Sequence, residues 1–106
     1  MTITKGDWVT GTIADGATAT GEIDLGMECD FVTVRIPALT SCTLKIQVAK
    51  DKGGTFLDVG DGLTTRTTTG SFTSRFRLPS STRYIKIVSS VAQAGGDDID
   101  CKGGRY

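Results

Sequence analysis

The chain has 106 residues, the length of one compact domain, and its 38% hydrophobic and 23% charged residues predict that it folds. Twelve basic and twelve acidic side chains cancel, so the chain lacks the basic surplus that nucleic-acid binding favours. It contains no histidine, which excludes a Ser-His-Asp or Cys-His nucleophile pair and a histidine-ligated metal.

Alternation of apolar and polar residues predicts a series of short strands. In chain order these strands are 8–13, 18–24, 31–36, 43–49, 63–68, 72–78, 83–89 and 98–101. Turn residues separate them at 15–16, 51–54, 60–62, 79–81 and 95–96. No segment has the apolar periodicity of a helix. The predicted fold is therefore all-β: a single-domain, antiparallel, jelly-roll-like β-sandwich of seven to eight short strands with essentially no helix.

The domain is predicted to occupy residues 1–106, with residues 1–7 as an N-terminal arm and residues 102–106 as a flexible C-terminal tail. The first residues include neither the basic nor the apolar segment of a secretory signal. The apolar runs are far shorter than the roughly 20 residues that span a bilayer. We therefore expect the chain to be made in the cytoplasm and to have no membrane partner.

Acidic residues cluster at Asp97, Asp98 and Asp100, a group compact enough to supply two or three oxygen ligands to a metal ion. Solvated carboxylates that protect a strand edge are the favoured interpretation. A glycosidase needs two carboxylates across a cleft, and the sequence does not indicate one. We predict no enzymatic activity, no cofactor and no metal site.

Trp8 and Tyr84 are the candidate contact residues, since their rings could stack on a sugar or pack against a partner. Because the chain has only one tryptophan, two tyrosines and four phenylalanines, burial of Trp8 in the core or between subunits is the favoured interpretation. Arg75, Arg77 and Lys86 are predicted to share one outward face, which we interpret as solvated.

Three cysteines, Cys29, Cys42 and Cys101, are candidates for disulfides between subunits. Cys29 and Cys42 each precede a predicted strand. If those strands form an antiparallel hairpin, the two cysteines lie about 20 Å apart, too far for an intrachain bond, which needs Cα atoms within about 7 Å. Cys101 precedes the predicted tail. An odd number of cysteines, two of them in loops or a tail, suits cross-links between neighbours, while buried, reduced thiols are the alternative.

Several segments carry a resemblance to a known class of proteins. They are residues 11–26, 35–38, 44–51, 54–59, 83–90 and 91–94. In this order they resemble the small accessory structural proteins, head-decoration-like, that tailed bacteriophages and prophages encode among their virion genes. The resemblance covers roughly residues 8–100 and contains no catalytic motif. Leu39-Thr40, where the family tends to have a tryptophan, and the three cysteines depart from it.

The resemblance implies a β-sandwich located in the virion, with a structural role. We expect a non-enzymatic capsid decoration or cement protein, forming a homo-oligomer and contacting the major capsid protein or other virion structural proteins, without nucleic acid. A neck or tail-associated position is an alternative. The second alternative is a carbohydrate-binding module that attaches the particle to host glycans, which requires Trp8 or Tyr84 to be exposed.

Overall fold

Seven strands make up most of the described part of the chain. The computed structural model describes residues 4–37, 42–59, 64–66, 72–93 and 95–105. The strands are β1 (Thr4–Ile13), β2 (Ile23–Ile36), β3 (Cys42–Ala49), β4 (Leu57–Asp58), β5 (Thr64–Arg66), β6 (Phe72–Ser89) and β7 (Asp97–Arg105). They form one antiparallel sheet in the order β1-β7-β2-β6-β3-β4, with β5 also paired to β3. Within the described ranges, no helix has the length and apolarity needed to cross a membrane.

Two strands are much longer than the sequence predicts, 14 residues in β2 and 18 in β6. They pair with each other from Ile23↔Ile85 at one end to Ile36↔Phe72 at the other, and the register shifts on both sides of the Cys29↔Thr82 pair. The first half of the sheet contains β1, β7 and residues 31–36 and 72–77. The second half contains residues 23–24 and 84–89 with β3, β4 and β5.

Both halves bury their inward side chains in a single core. The first half supplies Val32, Val34 and Cys101, and the second supplies Ile46 and Ile87, all fully buried and all in one cluster. One face of each half can be buried only if the halves lie face to face, so the sheet folds back on itself as a sandwich. The predicted fold class, an all-β antiparallel sandwich, is confirmed.

The turn predicted at residues 79–81 is absent, and β6 runs through it. Pro79 lacks a backbone N–H and signals a turn in the sequence. In the structure it is exposed at the register shift, and the Thr82 hydroxyl donates a hydrogen bond to its carbonyl at 2.6 Å. Proline is tolerated at such irregularities because no ladder bond is lost. The two predicted strands 72–78 and 83–89 are therefore one bent strand.

The predicted strand 18–24 is also different in the structure. Ala19 and Thr20 form only isolated bridges, to Val88 and Ile13, and the continuous strand begins at Ile23. Thr20 is buried, and its hydroxyl accepts a hydrogen bond from the Ile87 N–H at 3.1 Å. This segment thus closes the end of the core rather than adding a strand.

The predicted arm and tail are largely strand. Thr4–Asp7 belong to β1, and residues 102–105 are the last part of β7, which lies between β1 and β2. Two consecutive glycines allow this position: a Cβ at Gly103 would overlap the Cys29 sulfur, and a Cβ at Gly104 would overlap the Phe31 ring. Gly103 and Gly104, which in the sequence indicate a flexible tail, instead allow neighbouring atoms to pack closely against the backbone of β7. Residues 1–3 and Tyr106 lie outside the described residues.

We expect Gly103→Ala to lower the free energy of unfolding by about 1–3 kcal/mol, because the added methyl group overpacks the core against Cys29. Gly21→Ala is the matched control, since a Cβ there meets nothing within 4 Å. It should change stability by less than about 0.5 kcal/mol. Urea unfolding measures both values, and equal stability of the two variants would contradict the close packing of β7.

Candidate binding face

The outer face of the first half carries a straight row of side chains across four strands. Backbone register places Trp8 opposite Lys102, Lys102 opposite Thr33, and Thr33 opposite Arg75. We call these four residues the Trp8 row. Because neighbouring strands lie about 4.8 Å apart, the row spans about 14 Å.

Trp8 is 47% exposed, so the interpretation that places it in the core is wrong. In β1 the residues Gly11 and Ile13 are buried, and a strand turns alternate residues to opposite faces. Because Ile13 faces the core and Trp8 is five residues before it in the same strand, Trp8 faces outward. The Lys102 ammonium lies 5.7 Å from the centre of the Trp8 ring, within the range of a cation–π contact.

The Phe31 ring lies beside the Trp8 row and is only half-buried. Its edge approaches the backbone of Gly104, at a position that a Cβ would fill. The guanidinium carbon of Arg75 lies 3.8 Å from the ring centre, a close cation–π stack. Phe31 thus supports the Arg75 side chain on the outer face.

Two shallow depressions flank the Phe31 ring. One, of about 120 Å³, is lined by Phe31, Thr33, Lys102 and Gly103. The other, of about 260 Å³, is lined by Asp30, Phe31, Arg75 and Arg77. Each combines an apolar ring surface with at least one cationic side chain, an arrangement that suits a ligand carrying both apolar and anionic groups.

Two members of the acidic cluster, Asp98 and Asp100, lie on the same face, and Asp100 is next to Lys102 along β7. The Thr10 hydroxyl donates to the Asp100 carboxylate at 2.8 Å, and the Thr12 hydroxyl donates to Asp98 at 2.7 Å. Each bond joins residues directly opposite each other on β1 and β7. Across the described ranges, no three acidic or cysteine side chains group as metal ligands.

Tyr84 lies on the outer face of the second half, opposite Asp24 and Ala49. Arg83, its neighbour, bonds Asp24 through two nitrogens at 2.7 and 3.1 Å. The two predicted contact residues, Trp8 and Tyr84, therefore lie on different surfaces.

Lys86 is also on the outer face of the second half, with its ammonium 4.6 Å from the centre of the Phe56 ring. The prediction that it shares a face with Arg75 and Arg77 is wrong, because β6 passes from one half to the other between them. Arg75 and Arg77 do lie together on the first half.

Sequence reasoning missed Phe31, Thr33 and Lys102 as parts of this face. The sequence predicts a flexible tail at Lys102, and it does not mark Phe31 or Thr33 as exposed. The pattern in β7 contained the missing information: Asp98, Asp100 and Lys102 alternate with the buried Ile99 and Cys101. That alternation extends the strand beyond residue 101.

None of the three cysteines lies in a loop or a tail, where the sequence predicts two of them: they lie within β2, at the start of β3 and within β7. The hairpin assumed for Cys29 and Cys42 is also absent, because β6 separates β2 from β3. All three thiols are buried and unbonded. A disulfide between subunits needs an exposed sulfur, so this burial counts against the predicted cross-link.

Burial also raises the pKa of two of the thiols above the ordinary value. It raises the pKa of Cys101 to about 12 and raises the pKa of Cys29, whose sulfur donates a hydrogen bond to the Met27 carbonyl at 3.2 Å. Since the thiolate is the reactive form, both groups are protected from oxidation at neutral pH.

We expect none of the three thiols to react with Ellman's reagent at pH 8 in the folded protein, and all three to react in denaturant. Access is blocked for each, and the raised pKa of Cys29 and Cys101 keeps them protonated. A disulfide-linked dimer on a non-reducing gel of the native protein would contradict this expectation and support the cross-link.

The Asp24–Arg83 pair predicts a pH effect. The Arg83 hydrogen bond, with a second from the Gly26 N–H, lowers the pKa of Asp24 in the folded state. The ionised Asp24 carboxylate therefore stabilises the folded state fully above its ordinary pKa of 3.8, and this stabilisation is lost as the pH falls through the lowered pKa of the folded state. Asp24→Asn should reduce the urea-unfolding free energy at pH 7, by less than about 1 kcal/mol for an exposed pair. An equal loss at pH 2 would contradict the assignment.

Comparison with known proteins establishes the fold. No known protein family matches the chain, and no curated protein does. Among solved structures, the SPBc2 prophage-derived protein YomS is similar, with 17% identity over 92% of this chain and 93% of its own, at a TM-score of 0.55.

Two carbohydrate-binding modules are similar as well. The family 32 module of NanJ from C. perfringens, solved with galactose, has 9% identity over 95% of this chain and 99% of its own, at a TM-score of 0.57. A chitosan-binding module of a chitosanase/glucanase from Paenibacillus sp. IK-5 has 19% identity over 90% of this chain and 76% of its own, at 0.52. The fold is thus a β-sandwich that a prophage protein and carbohydrate-binding modules share.

Proposed function

We propose that this chain is a non-enzymatic structural protein of a tailed-bacteriophage particle, and that it decorates the capsid. In this role it contacts the major capsid protein or another virion structural protein, and copies of itself. Many weak, repeated contacts hold such a protein on a lattice by avidity and mass action.

The observation that carries the proposal is the position of the exposed apolar side chains. In the described residues, Trp8 on β1 and Leu57 on β4, 47% and 66% exposed, lie on strands at opposite ends of the sheet order. An edge strand with an exposed apolar side chain is where a neighbouring subunit can pack or pair.

We assign the particle contact to the β4 edge. Asp58 is held by the Lys45 ammonium at 3.0 Å and the Gln47 amide at 2.8 Å, and the Val59 N–H bonds the Ile46 carbonyl at 3.0 Å. These bonds fix β4 on β3 and leave Leu57 exposed. Burying that side chain against a capsid subunit would contribute about 2 kcal/mol per copy.

The sequence resemblance and the fold support the same proposal. The resemblance to accessory virion proteins spans roughly residues 8–100. The similarity to the prophage-derived protein covers nearly all of both chains, as expected for a single-domain protein of the same kind.

We expect Leu57→Asp to lower the amount of protein bound to particles at least fivefold, because a charge at the edge contact must be desolvated. Val91→Asp is the matched control, since Val91 is exposed but lies outside the strands. Particles grown without the gene are mixed with each purified variant and sedimented, and the bound chain is measured on a gel.

Two results would overturn the proposal. The first is that particles grown with the gene contain no copies of the chain. The second is that the Leu57→Asp variant binds to particles as well as the Val91→Asp variant. Gold-labelled antibody on intact particles separates a head position from a neck or tail position.

A second candidate function is attachment to carbohydrate. It is favoured by the exposure of Trp8 beside polar and cationic side chains, on a fold shared with carbohydrate-binding modules.

A further inference from the structure

We propose that the Trp8 row, with Phe31 and Arg77, is a binding face for a carboxylate-bearing polysaccharide, such as a chain of uronic acids. This inference rests on the second candidate function and makes its ligand class specific. It does not depend on particle attachment, which we assign to the β4 edge on the other half of the sheet.

The shape of the face suits an extended chain. Four side chains lie in line over about 14 Å, the length of a short oligosaccharide. The exposed Trp8 ring at one end offers a flat apolar surface against which the C–H face of a sugar can pack. Thr33 lies within the row and adds a hydroxyl that can bond sugar hydroxyls.

The charge of the face selects an anionic chain over a neutral one. Lys102, Arg75 and Arg77 line the two depressions together with one carboxylate, Asp30. A fourth cation, Arg35, is exposed next to Thr33 on the same face of β2. The other carboxylates of the face, Asp98 and Asp100, accept hydrogen bonds from threonines of β1, and Asp100 lies next to Lys102 along β7 and opposite Arg35. Among the described residues, the face therefore carries four cations against three carboxylates, and its positive excess is greatest around the Phe31 ring, although the whole chain is neutral.

One of the two arginines, Arg75, is held in place on this face. Arg75 is stacked on Phe31, and the Phe31 ring is positioned by the close approach of Gly104. A guanidinium held in this way loses little conformational entropy when it binds a carboxylate. The depressions on both sides of Phe31 give room for the carboxylates of successive sugars.

The test uses the purified full chain and one matched pair of polymers. Polygalacturonate carries a carboxylate on each sugar, and its fully methyl-esterified form keeps the backbone without the charge. Trp8 is the one tryptophan of the chain, so a change in tryptophan emission reports directly on this face. Calorimetry gives the affinity of each variant, with alginate and hyaluronan as further carboxylated probes.

We expect at least one carboxylated polymer to shift the Trp8 emission and to bind at least tenfold more tightly than the esterified polymer. Trp8→Ala, Lys102→Gln and Arg75→Gln should each weaken binding fivefold or more, while Arg75→Lys should retain part of it. Lys86→Gln is the matched control on the other half and should leave the affinity within twofold.

Each other outcome overturns the inference. Absence of binding to all three carboxylated polymers does so, as does equal affinity for the esterified polymer. Equal binding of dextran sulfate or single-stranded DNA, with no change in Trp8 emission, would indicate non-specific attraction of polyanions. Because particle binding of Leu57→Asp is measured separately, failure here leaves the structural proposal intact.

Discussion

The pairing of β2 with β6 is the interaction on which the rest of the structure depends. These two strands are hydrogen-bonded at both ends and change register between Asp24 and Phe31. The shift lets the pair bend, so that one sheet forms two facing halves. Strands β7 and β1 are attached through β2, and β3, β4 and β5 through β6. Neither half could bury its apolar face without this shared pair.

The same constraint shapes the candidate binding face. Within β2, Val32 and Val34 fill the core while Phe31 and Thr33 face outward, so the core fixes the outer residues by parity. Gly103 and Gly104 then let β7 pack closely against Cys29 on one side and Phe31 on the other. The backbone of the outer face is therefore positioned by the core beneath it, so its side chains are presented in a fixed order before a ligand binds.

The charged side chains are distributed differently over the two halves of the sheet. Asp24 pairs with Arg83 and Asp58 with Lys45 on the second half, where opposite charges lie side by side. On the first half the carboxylates of β7 accept bonds from threonines, and the cations gather near Phe31. The chain has no net charge, and yet the region around Phe31 is basic. The net charge of the chain therefore does not describe the charge of this face.

The sequence by itself determined the class of fold, most of the strand positions and the absence of histidine chemistry, because alternation and composition are local properties. The strands at 31–36, 43–49 and 83–89 were predictable for that reason. Only the tertiary structure decided that Pro79 lies within a strand, that Trp8 faces solvent, and that Lys102 belongs to a central strand. Period-two alternation fixes which residues of a strand share a face. Which strands become neighbours, and therefore which faces are buried, depends on pairing between distant segments.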